Sequence, residues 1–330
     1  FHHRWLTQIQ DGCVDCDHQE FRLPGGEQIK SLAHLEEIYD WLASIDLPRD
    51  GTIVAAGGGT VLDIAGLAAA TWRRGVNFVS IPTTLLGMVD AAIGGKTALH
   101  AAGLKNPVGC FYPARGILAD TGFLASLPRR EWRNGMAELI KTAIIGDPDL
   151  FHDLHVHRSA LHGVLGRGDD DDLVAGILGA FPWRRWIGQA ATVKIKIVGA
   201  DFKEEGRRRV LNLGHTLGHV LEAWTNSSGK RPLSHGEAIA VGMAFVFRIA
   251  AERGMCPLDA AVKVIELLES CGLPVSCPCP PDEELERLLA ADKKQSARAG
   301  LKWTLPERIG SMDLNGRVSV AEIKNWLDSD

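Results

Sequence analysis

The segment Thr52-Ile53-Val54-Ala55-Ala56 runs directly into Gly57-Gly58-Gly59, and an Ala- and Leu-rich stretch follows from Thr60 to Trp72. A short apolar run bounded by glycine reads as a buried parallel strand. The glycines let the chain turn tightly into a helix whose first N–H groups suit a phosphate. The pattern is not the G-x-G-x-x-G fingerprint. Taken alone, it fits a nucleotide site or a tight strand-to-helix turn. Ser31 to Ile45 has helical apolar spacing, and Asn77-Phe78-Val79-Ser80-Ile81 and Gly116-Ile117-Leu118-Ala119 read as further strands. Strands alternating with helices define an α/β layer with helices on both faces.

In such a layer the residues just beyond the strands' carboxyl ends line the ligand crevice. Here they are Thr83 and Thr84, then Asp90, Gly94-Gly95-Lys96-Thr97, Lys105-Asn106 and Asp120-Thr121. A lone surface lysine is usually just solvated. Glycines and Asn106 beside Lys96 and Lys105 favour an anion site.

From Pro128 onward the strand-type alternation almost vanishes. Helical spacing dominates residues 129–146, 148–166, 183–198, 208–224, 235–254, 257–271 and 281–292, with a solvated Gly/Asp-rich loop around 169–172. The expected organisation is an α/β domain over residues 1–127 and a mainly helical domain over 128–330. Residues 1–10 look like part of a helix with no strand before it.

The stretch Gly206 to Trp224 carries most of the chemistry. Read as one α-helix, it sets Arg208, Asn212, His215 and His219 along a single stripe. Two imidazoles at i and i+4 suit one metal ion. Two helix histidines satisfied by backbone carbonyls are the plainer reading, but Arg208, Asn212 and the nearby Ser234-His235-Gly236-Glu237 favour a site. Glu138 and Lys141 share a helix face at i, i+3 amid apolar neighbours, as Lys194 does within Val193–Ile197. An exposed pair of that kind is worth little; this context points both groups into a cleft. Glu138, His215 and His235 together suit a divalent ion with open positions. The basic residues left over suit a substrate bearing phosphate and carboxylate.

Composition narrows the class. The 330 residues are 45% hydrophobic with net charge −5, which argues against general nucleic-acid or membrane-surface binding. No run approaches the ~18 apolar residues of a membrane span. Seven cysteines, an odd number, read as reduced thiols in a cytoplasmic protein, with Cys13 and Cys16 kept as a metal or redox alternative.

The words LPGGEQIKSL, GGGTVLDIAG, RRGVNFVSIPTTLLGMVD, IGGKT, LKN, DTGFLASLP, AELIK, GRRRVLNLGHTLGH, SHGEAIAVGM and DKK occur in this order. Together they resemble the dehydroquinate synthase family of sugar phosphate cyclases, over nearly all of residues 20–325. The resemblance implies an α/β, Rossmann-like NAD-binding domain and a mainly α-helical domain holding a divalent metal, zinc in the usual case and cobalt as an alternative. It implies cyclisation of 3-deoxy-arabino-heptulosonate 7-phosphate to 3-dehydroquinate with loss of phosphate, in the shikimate pathway, with NAD regenerated in each turnover. By the same resemblance Glu138, His215 and His235 are metal ligands, and His219 is a substrate-side group near the phosphate. Asp90, Lys96, Asn106 and Asn212 match substrate positions, and Lys141 matches a catalytic lysine. Lys194 and Arg208 match the pair that holds the substrate carboxylate, and Lys293 or Lys294 a phosphate-binding lysine. Arg74 matches an arginine that reaches the neighbouring subunit of a homodimer. Glu27, Lys30, Gly58, Gly59, Asp63, Thr83, Thr84, Lys96, Lys105, Leu124 and Ser126 match NAD positions.

The chain departs from the family pattern in places. Gly25-Gly26 replaces the usual acidic residue, Ile29 an aromatic, Ala98-Leu99-His100 the common Gly-Val-Asn, and Thr142-Ala143 the usual Tyr-Gly. The opening strand and acidic turn that help hold the NAD ribose have no counterpart, so an N-terminal segment is expected to be absent from this sequence. These departures bear on substrate choice more than on reaction type. The competing readings are a cyclase acting on sedoheptulose 7-phosphate, 2-deoxy-scyllo-inosose synthase, amino-dehydroquinate synthase, or, from another class, a metal-dependent polyol dehydrogenase that releases NADH. A non-catalytic binding protein on the same fold is disfavoured by the intact Glu138, His215 and His235.

Overall fold

Ser31 opens the first helix, α1 (Leu32–Ser44), by accepting the His34 N–H on its hydroxyl at 3.3 Å. A serine in this position satisfies a donor that the helix start leaves orphaned. The computed structural model describes Trp5, Thr7, Ile9, Gly12 and residues 17–168, 171–174, 176–228, 231–295 and 302–328, with backbone alone for 291–295. Most of the helix expected over residues 1–10 lies outside the described residues, as do Cys13 and Cys16. None of the described cysteines is in a disulfide. The chain divides into two compact units, residues 1–128 with 175–187, and residues 129–174 with 188–330.

In the first unit, β1 (Thr52–Gly57), α2 (Gly59–Thr71) and β2 (Asn77–Pro82) follow the strand–glycine–helix–strand order legible in the sequence. β1 and β2 pair in parallel from Thr52–Asn77 to Gly57–Pro82, and a two-residue β5 (Gly116–Ile117) pairs with β2 on its other side. Among the described residues β1 pairs with β2 alone; it is parallel as expected but only partly buried, with Val54 48% exposed. The core of this unit packs Leu35, Ile38 and Leu42 of α1 against Ile64, Leu67 and Ala68 of α2, with Ile29 and Leu99.

An antiparallel hairpin, β3 (Lys96–Ala101) and β4 (Leu104–Phe111), was not legible as strands. Its turn is Ala102-Gly103, both at positive φ, the pair of left-handed residues that a two-residue hairpin loop needs. The register breaks near its middle. Leu99 faces Val108 and Ala101 faces Leu104, so Lys105, Asn106 and Pro107 bulge opposite His100.

The second unit holds α3 (Arg129–Gly146), α4 (Pro148–Val156), α5 (Arg158–Val164), α6 (Trp183–Ala200, whose first turn groups with the other unit), α7 (His215–Ser227), α8 (His235–Glu252), α9 (Leu258–Ser270) and α10 (Asp282–Gln295). α8 is buried almost all round and packs on α3, α7 and α9. A capping box between Ser234 and Glu237 starts it. The C-terminal part is mainly helical, as expected, with one short hairpin that the sequence did not reveal. β6 (Trp303–Arg308) and β7 (Ser311–Gly316) form a hairpin before α11 (Val320–Leu327). Trp303 meets Phe245 of α8 edge-on at 5.6 Å.

The single helix expected over 208–224 is two pieces. Arg207–Asn212 is a 3₁₀ turn, Leu213 is non-helical, and Gly214, at φ +77, begins α7. The cause is close approach to α8. A Cβ on Gly242 would lie 1.9 Å from the Gly214 carbonyl oxygen, and one on Gly214 2.8 Å from that of Ile239. Arg208 and Asn212 are therefore not on the helix that carries His215 and His219.

Replacing Gly242 by Ala forces α7 and α8 apart. The expected loss is about 2 kcal/mol or more, as for an overpacked core. Denaturant unfolding measures it, and an unchanged midpoint contradicts the contact.

Candidate active site

Glu138 lies on α3 with its side chain wholly buried. An isolated carboxylate there is costly unless cations and dipoles surround it. Lys141, one turn on and equally buried, pairs with Oε2. On the other side Oε1 is 3.4 Å from His235 Nε2 and 3.6 Å from His215 Nε2. One ligand atom from each of Glu138, His215 and His235 falls within 4.8 Å of the others, the one such cluster among the described residues. Neither carboxylate oxygen has a partner in ordinary hydrogen-bond geometry. A buried carboxylate of that kind and two imidazoles fit a divalent cation.

Each ring is also held from behind. The Leu213 carbonyl oxygen lies 3.1 Å from His215 Nδ1, and a Glu222 carboxylate oxygen 3.5 Å from His235 Nδ1. Such partners fix the tautomer and leave Nε2 facing the cluster. Asn134, one turn before Glu138, accepts the Gly236 N–H at 2.6 Å and pins the first turn of α8 to α3. A Cβ on Gly236 would lie 2.4 Å from the Asn134 carbonyl oxygen, so only glycine follows His235 here.

Burial by itself would raise the Glu138 carboxyl, yet Lys141 and then His235 hold it down at about 2. Burial would lower His235, but Glu138 and Glu222 hold it up at about 9. Burial, then the Lys141 charge and the other two imidazoles, push His215 well below its ordinary value. The surroundings therefore favour the ionised form of Glu138, the neutral form of His215 and the protonated form of His235.

His219 is exposed, one turn beyond His215, with ring centroids 5.2 Å apart. It is not part of the three-residue cluster. Lys194 and Arg208 are buried. Arg208 donates from Nη1 to the Phe202 carbonyl, and its own N–H goes to Asp201 Oδ2 at 2.9 Å. Asn212 donates to Glu204 at 2.9 Å. The side chains of Lys293 and Lys294 lie outside the described residues.

In the first unit, Gly58 caps α2 and Gly59 begins it. Lys30 is buried, donates to Asp63 at 2.7 Å and lies 3.7 Å from Glu27. Burial raises the Asp63 carboxyl to about 6 even with Lys30 beside it, and Glu27 and Asp90 push the same way. The Thr83 N–H donates to the Gly57 carbonyl at 2.9 Å, and Thr84 Oγ1 accepts from Gly87 at 3.0 Å. Asp90 sits in a π-type turn, Gly87–Ala91. Lys96 opens β3 and is exposed; Lys105 and Asn106 occupy the β4 bulge. Leu124 is buried in a 3₁₀ turn, where Ser126 donates to the Phe123 carbonyl at 3.0 Å. Arg74 is exposed at φ +64.

Sequence reasoning assigned no contact to Glu222, Asn134 or His100. Glu222 carried a signal, standing seven residues after His215 and hence on the same face of α7. The other two are brought in by long-range contacts.

Residues 20–134 match the family described as 3-dehydroquinate synthase N-terminal, and residues 135–295 that described as 3-dehydroquinate synthase C-terminal. The 3-dehydroquinate synthase of Halorhodospira halophila is 38% identical over 310 residues, covering 94% of this chain and 82% of the relative. Among solved structures, 2-epi-5-epi-valiolone synthase from Streptomyces hygroscopicus, with NAD+ and Zn2+ bound, superposes with TM-score 0.80 at 30% identity, covering 93% of this chain and 81% of that one. A 2-deoxy-scyllo-inosose synthase complexed with carbaglucose-6-phosphate, NAD+ and Co2+ gives 0.77 at 27%, covering 94% and 82%. Fold and cluster together define an enzyme of the sugar phosphate cyclase class. Within that class, the chain belongs to the 3-dehydroquinate synthase family.

Two outcomes follow from the cluster. Metal binding needs a neutral imidazole, so below about pH 9 it must expel the His235 proton. Apparent affinity should then fall roughly tenfold per pH unit as pH drops, with about one proton released per ion, measurable by calorimetry in buffers of different ionisation enthalpy. Replacing His215 by Ala should abolish metal binding, whereas His219→Ala should keep the metal and slow turnover; equal metal loss in both contradicts the division.

Proposed function

We propose that this enzyme cyclises 3-deoxy-arabino-heptulosonate 7-phosphate to 3-dehydroquinate and phosphate in the shikimate pathway, with NAD and a divalent metal. The observation that carries the reading is the Glu138–His215–His235 cluster, built around a buried carboxylate, in a chain whose family match spans residues 20–295. Zinc and cobalt both suit its mixed imidazole and carboxylate donors.

When bound, NAD would supply reversible hydride acceptance and the metal Lewis acidity toward substrate oxygen, so that oxidation to a carbonyl would acidify the neighbouring C–H and ease phosphate loss. The chain supplies placement and charge. Glu138, His215 and His235 hold the metal, and Leu213 and Glu222 fix the ring orientations. Lys141 sets a positive charge beside the Glu138 carboxylate, where negative charge develops on a reacting oxygen. Lys194 and Arg208 take the substrate carboxylate. Arg208 is prepared for this because Phe202 and Asp201 fix its side chain and backbone. Asn212 orients the substrate, and His219, exposed one turn from His215, moves a proton at the phosphate end. In the other unit Glu27, Lys30, Gly58, Gly59, Asp63, Thr83, Thr84, Lys105, Leu124 and Ser126 hold NAD, and Asp90, Lys96 and Asn106 serve the substrate, its phosphate above all. The enzyme is cytoplasmic and works as a homodimer, with the exposed Arg74 reaching the partner. No helix among the described residues is long and apolar enough to cross a membrane.

Purified enzyme with NAD and metal should release inorganic phosphate from the heptulosonate phosphate without net NADH. Steady NADH accumulation sinks the cyclase reading. Phosphate release from sedoheptulose 7-phosphate or glucose 6-phosphate instead would reassign the substrate. Arg208→Ala should raise KM for the carboxylate substrate by about tenfold or more, the loss of a charge-assisted hydrogen bond.

A further inference from the structure

His100 sits where the β3–β4 ladder breaks. A bulged residue loses its ladder partner, and its N–H must find another acceptor. The Asn106 N–H finds it in His100 Nδ1, at 3.1 Å. Asn106 is held at φ +56 immediately before Pro107. Left-handed backbone is uncommon outside glycine, and a following proline restricts it further. The bulge therefore depends on an anchor of this kind.

The same ring reaches the other way. Because Nδ1 accepts, the neutral imidazole carries its hydrogen on Nε2. That nitrogen lies 3.1 Å from Glu27 Oε1. Glu27 Oε2 accepts from Thr60 Oγ1 at 2.8 Å. The His100 backbone N–H donates to the Lys30 carbonyl at 2.7 Å, and Lys30 Nζ continues to Asp63. One residue thus meets the Glu27–Ile29 turn, the strand ladder and the bulge that displays Lys105 and Asn106. An asparagine in place of His100 would be too short to span both ring contacts.

We propose that His100 is a positioning residue that locks the Glu27 carboxylate to the Lys105–Asn106 bulge, so that dinucleotide and phosphate recognition are set by one side chain. The identity of the two ligands rests on the cyclase reading above. With Thr60 and His100 donating to it, Glu27 keeps lone pairs for a cofactor in one fixed orientation. With its N–H fixed, Asn106 presents its side chain from a defined backbone.

Three variants separate the two arms. In His100→Asn the amide oxygen can stand for Nδ1 and keep the Asn106 contact, while Glu27 loses its donor. In His100→Gln the longer amide can stand for Nε2 and keep Glu27, while Asn106 loses its acceptor. His100→Ala loses both. The readouts are calorimetric dissociation constants for NAD and for inorganic phosphate, with the melting transition and metal affinity as controls. His100→Ala should weaken both ligands about tenfold, the usual scale for one lost hydrogen bond to a charged group. His100→Gln should restore NAD and not phosphate, and His100→Asn the reverse, with melting and metal affinity unchanged. Wild-type affinities in all three variants overturn the proposal. So does parallel loss of both ligands in all three, with or without a lowered melting transition, since a merely structural role gives no split. Neither titration needs turnover, so failure of the wild type to convert the heptulosonate phosphate would count against the cyclase reading and leave the His100 result standing by itself.

Discussion

A buried carboxylate is the constraint on which the second unit depends. Glu138 has no water to solvate it, and an ion taken out of water costs several kcal/mol even after the protein relaxes. The surroundings offset that cost only because charged and polar groups arrive from three helices. Lys141 comes from the same helix, His215 from the start of α7 and His235 from the start of α8. The residues that make the site chemically useful are also those that make Glu138 tolerable.

Helix ends, not helix faces, deliver the two imidazoles. His215 and His235 are each the first residue of their helices. Their placement is therefore governed by what starts a helix: Gly214 in the left-handed region for one, the Ser234–Glu237 capping box for the other. Gly242 lets the start of α7 approach α8, and Gly236 lets the start of α8 approach α3, so closely that no Cβ fits. Small residues at these contacts convert backbone packing into ligand geometry.

In the first unit the parallel strands put Gly57 through Gly59 at the start of α2, while a hairpin outside that sheet carries Lys96, Lys105 and Asn106. Long-range hydrogen bonds fasten the hairpin to the Glu27 turn. A bulge is a suitable device here, because it turns residues out of the ladder without ending the strand.

The βα units, the change to helical spacing after Pro128 and the chemistry of Glu138, His215 and His235 were legible in the amino-acid sequence, because hydrophobic period, glycine punctuation and residue type are local properties. Strands β3, β4, β6 and β7 were not. β4 is exposed along its length and shows no apolar alternation, and the β6–β7 hairpin is held by Trp303 packing on a helix about sixty residues earlier in the chain. The stretch from Gly206 to Trp224 shows the division most sharply. Its sequence supplied the residue types, an arginine, an amide and two imidazoles, of which the structure brings His215 into the cluster with Glu138 and His235. Only the tertiary structure decided that Arg208 and Asn212 leave the helix, because the break at Gly214 is imposed by Gly242 on α8, and no local pattern records a contact between backbones.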